Sequence, residues 1–389
     1  MAGAPMQSET RASATARQVS GRDADSLNML SVLTKRTYTI AANGRCVLAT
    51  EQVPLFDDIA EDPDCPGLLD HDLDLYPFKP ATDVILKGHA YKGALRDSAR
   101  VSVQVGRWSK SIHVVGDRRA TLSSRGEILF SDPDPFDVMT LRYDRAYGGR
   151  DQAAEARYGN PARELEKYVD PTIDLDAASP YIYPRNPAGV GFLIEPTREA
   201  VEQLRLPNLE DPEDVLTAER IVCGAAGNWP RMPLPQAFDW VNLGWFPRIG
   251  YFGFVPPCDA PSRPIAEVVR GLAPAGILEP GRQEDKFSLR FTNGASLGMQ
   301  LPHLKGDEEC VVVGAHPRQV RFAFRLPGQR PRIWTDGRDG KLNETRPQLH
   351  TVVIEPEASR ITMLWRGGAP ARRPYMPEEL ETMPFKVEW

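Results

Sequence analysis

Gly294-Ala295-Ser296-Leu297-Gly298 comes nearest to a reactive centre in this chain. A G-x-S-x-G turn exposes a serine nucleophile when a strand leads into it and a helix follows, because the amides opening that helix face the developing oxyanion. Here Pro302 stands where the helix would run, and proline has no N–H to continue it. The acid and base would have to be Asp307 or Asp339 with His350, all in strand-like or loop sequence. The pattern therefore favours a turn serine between two flexible glycines. A second enzymatic grouping, Asp83, His89 and Asp117, has no spacing that places its members together.

Other signals for bound groups also break off. Asp70-x-Asp72-x-Asp74 opens like a calcium loop, but Leu75 replaces the sixth-position glycine and Ala81 the bidentate glutamate, which leaves a solvated acidic turn. Gly88 and Gly93 have P-loop spacing, followed by Ala94-Leu95 where phosphate and magnesium need Lys and Ser or Thr. Gly189-Val190-Gly191 lacks the third dinucleotide glycine. The histidines (His71, His89, His113, His303, His316 and His350) and the scattered cysteines form no ligand pair. No metal and no cofactor is expected.

Charge points to contacts instead of chemistry. A net charge of −6 offers no global attraction to nucleic acid or anionic lipid, and no apolar run approaches a membrane span. Residues 51–74 hold nine acidic residues and no Lys or Arg, which predicts a solvated loop. Residues 318–346 hold eight basic and three acidic residues. The arginines Arg318, Arg321, Arg325, Arg330 and Arg332 either lie on solvated strand faces, pair with the acidic loop, or form a docking surface. Trp229, Trp240, Trp245, Phe246 and Tyr251, with Phe252 and Phe254, crowd one proline-rich stretch. Such aromatics either fill a core or anchor a partner. These ten residues, five aromatics from Trp229 to Tyr251 and the five arginines, are the candidate partner-binding set.

The elements that must position them are mainly β. At 41% hydrophobic and 26% charged residues the chain can build a core, while its 36 prolines shorten helices and strands alike. Asn43-Gly44 between KRTYTI (35–40) and RCVLAT (45–50) predicts a hairpin. Period-two alternation marks DVILKGHA, ARVSVQVG and SIHVV between residues 83 and 115. It returns as KFSLRF, ECVVVG, QVRFAFRL, HTVVIE and RITMLW, the third with Val320, Phe322, Phe324 and Leu326 on one face, and residues 356–359 join the last two strands. Asp117 beside Arg118 and Arg119 either forms a buried ion pair closing the second hairpin or presents charge to a partner. Helices are expected near residues 162–168, 196–206 and after Ser262. The expected organisation is a disordered tail (1–26), a β-rich block (27–150), an irregular, partly helical centre (151–284) and a second β-rich block (285–389), with antiparallel, sandwich-like sheets. No export signal is legible in the tail, so reduced cysteines in the cytoplasm are expected.

Phrases spread over the chain carry a resemblance. KPATDVILKGHAY (79–91), VVGDRRA (114–120), LRYDRAYGG (141–149), NPAGVGF (186–192), LPNLEDP (206–212), MQLPHLKGDEECVVVG (299–314), RLPG (325–328) and LHTVVIEPEASRITMLWRG (349–367) follow in that order. They resemble a family of type VI secretion accessory proteins encoded beside spike genes. The stretch 228–254 matches the family's Trp-rich central segment only loosely. The resemblance implies a non-enzymatic cytoplasmic adaptor or chaperone that binds an effector, in some cases one carrying a spike-tip domain, and loads it onto the spike protein. The alternatives are a structural spike component secreted with its cargo and a hydrolase using Ser296.

Overall fold

The computed structural model describes residues 8–9, 15–25, 27–91, 97–159, 179–251, 288–336 and 340–389. The strands that matter here are β1 (Ala16–Arg22), β2 (Asn28–Ile40), β3 (Cys46–Leu48), β4 (Thr82–Leu86), β5 (Ser98–Val105), β6 (Trp108–Val115), β7 (Leu209–Glu210), β8 (Gln300–Leu301), β9 (Glu309–Val313), β10 (Arg321–Arg325), β11 (Arg332–Thr335), β12 (Asn343–Thr345), β13 (Gln348–Glu355), β14 (Arg360–Pro370) and β15 (Phe385–Glu388). The largest sheet runs β8-β4-β13-β14-β2-β1, with β3 beside one end of β2. A second runs β7-β6-β5-β9-β10, and a small one runs from Ser8–Glu9 through β15 and β11 to β12. Pairing is antiparallel in these sheets except between β4 and β13.

The mainly β, antiparallel reading holds, and the two β-rich segments share both large sheets. β14 pairs with β2 from Arg360 opposite Thr39 to Pro370 opposite Met29, and β9 pairs with β5. Alternation explains the layering. Val84, Tyr38, Val352 and Met363 leave one face of the large sheet and join Val101, Val103, Ile112, Val312 and Phe322 of the second sheet in one core. The Asn43-Gly44 hairpin closes β2 onto β3, with Ile40 opposite Cys46. Residues 356–359 likewise join β13 to β14, Glu355 opposite Arg360.

Several local expectations need correction. Ala16–Arg22, placed in a disordered tail, is the outer strand β1: Ala16 is fully buried, and the ladder to β2 holds a segment with little apolar alternation of its own. Leu289–Thr292, expected within the strand KFSLRF, is a turn of 3₁₀ helix, because Ser288 accepts the Arg290 N–H and Thr292 donates back to the Leu289 carbonyl. Val320, assigned to the inward row with Phe322, is 80% exposed beyond the end of β10. In the centre, α1 (Gln152–Tyr158) and α2 (Arg198–Gln203) are capped by Asp151 and Thr197, and their buried sides join a second core with Tyr183, Phe192, Ile221 and Trp229. The helices expected near 162–168 and after Ser262 lie outside the described residues. No helix among the described residues is long and apolar enough to cross a membrane.

Candidate functional site

Alternation within the β9–β10 hairpin decides which side chains can meet a partner. Cys310, Val312, Phe322 and Phe324 point into the core, which turns Glu309, Val311 and Val313 with Arg321, Ala323 and Arg325 outward. The loop between the strands is pinned by His316, whose Nδ1 accepts from the Arg318 and Gln319 amides at 3.1 Å while its ring stacks on Phe322 at 4.6 Å. On the open side of β10 the Asn43-Gly44 turn covers one end only. The Arg325 N–H donates to the Gly44 carbonyl at 3.1 Å, and Cys46 Sγ donates to the Arg325 carbonyl at 3.1 Å. Gly44 sits at φ +76°, and a Cβ there would lie 2.7 Å from the Ala323 carbonyl oxygen, so the turn approaches this closely only with glycine.

The five predicted arginines are all exposed, but they differ in partners. Arg332 is neutralised by Glu344, two bonds of 2.9 Å, beside Glu388 at 3.8 Å. Arg325 and Arg330 donate Nε to the carbonyls of Asp307 and Lys305, at 2.8 and 2.7 Å, and meet no carboxylate among the described residues. Among the described residues, Arg318 and Arg321 have no carboxylate partner. Pairing with the acidic loop, one of the sequence alternatives, does not occur among the described residues: no ion pair joins residues 51–74 to any of the five.

The aromatic half of the predicted set lies mostly inside the fold. Trp229 and Phe246 belong to the second core, Trp240 and Trp245 to the first, and all four are buried. Trp245 meets Tyr143 edge-on at 5.5 Å. Large aromatic surfaces in a loop-rich centre with few long elements do the filling that sheets do elsewhere. Tyr251, in the short helix α3 (Arg248–Tyr251), is half-buried under the Arg290 guanidinium at 5.6 Å. Phe252 and Phe254 lie outside the described residues.

The acidic segment is solvated only in part. Asp57 and Asp58 are exposed, whereas Asp72 and Asp74 are 1% and 6% exposed. The segment folds across the other face of the large sheet, where Ser31, Lys35, Thr37, Asp83, Thr351, Thr362 and Arg366 form a buried polar layer. Each member of the Asp70-x-Asp72-x-Asp74 triplet takes a cation from a different element: Lys87 at 3.1 Å, Arg248 at 2.6 Å and Lys35 at 2.5 Å. Burial pushes the Lys35 ammonium below its usual range, and Asp74 opposes that shift. A cavity of about 220 Å³ lies between segment and sheet, bordered by Lys35, Phe56, Asp74, Trp240 and Thr351. Lys79 and Asp83 form a further buried pair at 2.7 Å.

The same carboxylate anchors the serine motif. Asp83 accepts the Gly294 and Ala295 amides at 3.0 and 3.1 Å, which ties the turn before Ser296 to β4. Ser296 is 0% exposed and bonds Lys110 Nζ at 3.1 Å; Lys110 also donates to the Ala237 carbonyl. Burial brings the Lys110 amine down to about 7, with Asp211 opposing. Among the described residues no triad forms: neither ring nitrogen of the fully buried His350 has a hydrogen-bond partner there, and Asp339 lies outside them. Asp83, His89 and Asp117 are not gathered either. They hold Lys79, Glu357 and Asn208 respectively. Arg118 bonds Glu210 in place of its neighbour Asp117.

Sequence reasoning reached the arginines but missed the backbone beside them, because an open N–H leaves no mark on residue type. It also had no signal for Lys110 beside Ser296, which meet only through the second sheet.

Residues 25–366 match a family described as "Uncharacterized protein conserved in bacteria (DUF2169)". No curated protein matches the chain, and no solved structure does. With the match running from before β2 into β14, across both large sheets, the chain belongs to this conserved bacterial family.

Proposed function

We propose that this protein is a non-enzymatic cytoplasmic adaptor that binds a type VI secretion effector and promotes its loading onto the spike complex. The single observation that supports it best is the exposed run Arg318, Arg321, Arg325 and Arg330, charged and without carboxylate partners among the described residues, beside the open strand β10. Exposed arginines on a sheet edge suit recognition of a partner's acidic surface and discourage indiscriminate edge pairing. The ordered phrases that resemble type VI accessory proteins supply the partner class. Co-expression with the effector and spike proteins encoded nearby tests the reading: all three co-elute at low salt, the complex weakens as salt rises, and failure of either to co-elute at any salt removes it. Spike-like amounts of the protein in the secreted fraction would favour a component that travels with its cargo.

The hydrolase alternative has one observation in its favour, the Lys110–Ser296 bond, since a lysine near neutrality can act as a base. The burial of Ser296 counts against that reading. Unchanged effector secretion and toxicity with Ser296→Ala would dismiss it.

A further inference from the structure

The open side of β10 allows the partner's chemistry to be named, resting on the adaptor reading for what kind of protein carries it. In an antiparallel strand the N–H and C=O of one residue point to the same side. Val320 accepts from Gly314 and Leu326 donates to Glu308, so even-numbered positions face β9. Odd-numbered positions face away from it. Arg325 is already bonded to Gly44, whereas among the described residues the amides of Arg321 and Ala323 donate to nothing. This stretch of edge therefore offers unused backbone hydrogen bonds at the point where the unpartnered arginines lie.

We propose that residues 319–323 accept an extended acidic segment of a partner protein as an added strand, with its carboxylates on the face that bears Arg321 and Arg325. Strand addition draws affinity from main-chain bonds and specificity from alternate side chains. Carboxylates at every second position of the incoming strand would lie beside Arg321 and within reach of Arg318 and Arg325. Apolar residues between them would cover Val320, which is 80% exposed. The Asn43-Gly44 turn, bonded to Arg325 and lying against the Ala323 carbonyl, sets the limit just past the Ala323 amide, so the added strand is short and approaches from the His316 loop. A second copy of this chain is the wrong occupant. Two-fold pairing of β10 about Arg321 would set arginine against arginine, and like charges directly opposite are unfavourable.

The test uses the full chain and a labelled synthetic peptide alternating glutamate and valine, with a lysine–valine peptide as control, followed by fluorescence anisotropy and amide hydrogen exchange. Only the acidic peptide binds, more weakly at high salt, and exchange slows at the Arg321 and Ala323 amides. Arg321→Glu weakens binding by about tenfold, as expected when an attractive exposed pair becomes a repulsive one. Ala323→Pro abolishes it, because proline there removes an amide that makes no bond within the chain and blocks only the incoming strand. A thermal melt establishes that both variants fold; if Ala323→Pro does not, the exchange pattern of the unaltered protein decides. Absence of binding, equal binding of both peptides, or binding that survives Ala323→Pro with no slowed amides overturns strand addition. Peptide binding that persists while effector and spike fail to co-elute removes the adaptor reading and leaves the edge site standing.

Discussion

The acidic segment 51–74 and the basic segment 318–332 look like counterparts in the sequence, yet the fold treats them in opposite ways. Asp70, Asp72 and Asp74 each close an ion pair within the chain, two of them out of water. Arg318, Arg321, Arg325 and Arg330 stay exposed, and no carboxylate among the described residues reaches them. A charged run thus reports neither solvation nor docking until its partners are known. The Lys35–Asp74 pair binds the cover to the sheet and the Arg248–Asp72 pair binds it to α3, since removing one partner would strand the other in a low-dielectric interior. The exposed charges cost the fold little and stay available.

Substitutions can break that contrast. Asp72→Ala leaves the Arg248 guanidinium buried beside Tyr76 without its counterion and should cost about 3–5 kcal/mol in urea unfolding. Trp245→Ala should lose a similar amount, about 3–5 kcal/mol, if the aromatic centre is core, and far less if it were a docking surface. Gly44→Ala should cost about 1–3 kcal/mol and loosen the turn from β10, because the residue has φ +76° and faces the Ala323 carbonyl.

A pH effect follows in size. Burial, with Arg366, Lys79 and His303 nearby, holds His350 well below its usual range. Below about 6.5 the unfolded chain therefore takes up a proton that the folded chain refuses, so stability present above that pH is lost as pH falls. Between pH 6.5 and 5 the loss from this group is at most about 2 kcal/mol. His350→Leu should flatten that part of the pH profile; an unchanged slope would place the titration elsewhere. Asp239, raised to about 6 by burial, acts in the opposite direction below that value, so the difference between variant and parent is the informative measurement. The smallest effect is expected from Arg318→Gln with Arg321→Gln, within about 0.5 kcal/mol of the parent, while effector co-elution at moderate salt declines. Stability lost without binding lost would make these arginines structural.

The legible parts of the molecule were the local ones. Period-two alternation located β5, β6, β9, β10, β13 and β14, and Asn43-Gly44 marked its hairpin, because pleat and turn chemistry act over a few residues. The arginines were legible as charges, and their outward direction follows from Phe322 and Phe324 pointing inward. The aromatic centre was ambiguous because buried and interfacial aromatics share one composition, and only the fold shows four of them buried.

By itself the sequence determined a β-rich chain and its main turns, and over residues 25–366 it carries the match to a conserved bacterial family. Tertiary structure alone decided that strands from both ends of the chain share sheets, that Asp72 meets Arg248 across 176 residues, and that the amides of Arg321 and Ala323 face outward with no partner among the described residues. The reason is range. Alternation and turn propensity are written in neighbouring residues, whereas ion pairing, burial and open edges depend on which distant segments the chain brings together.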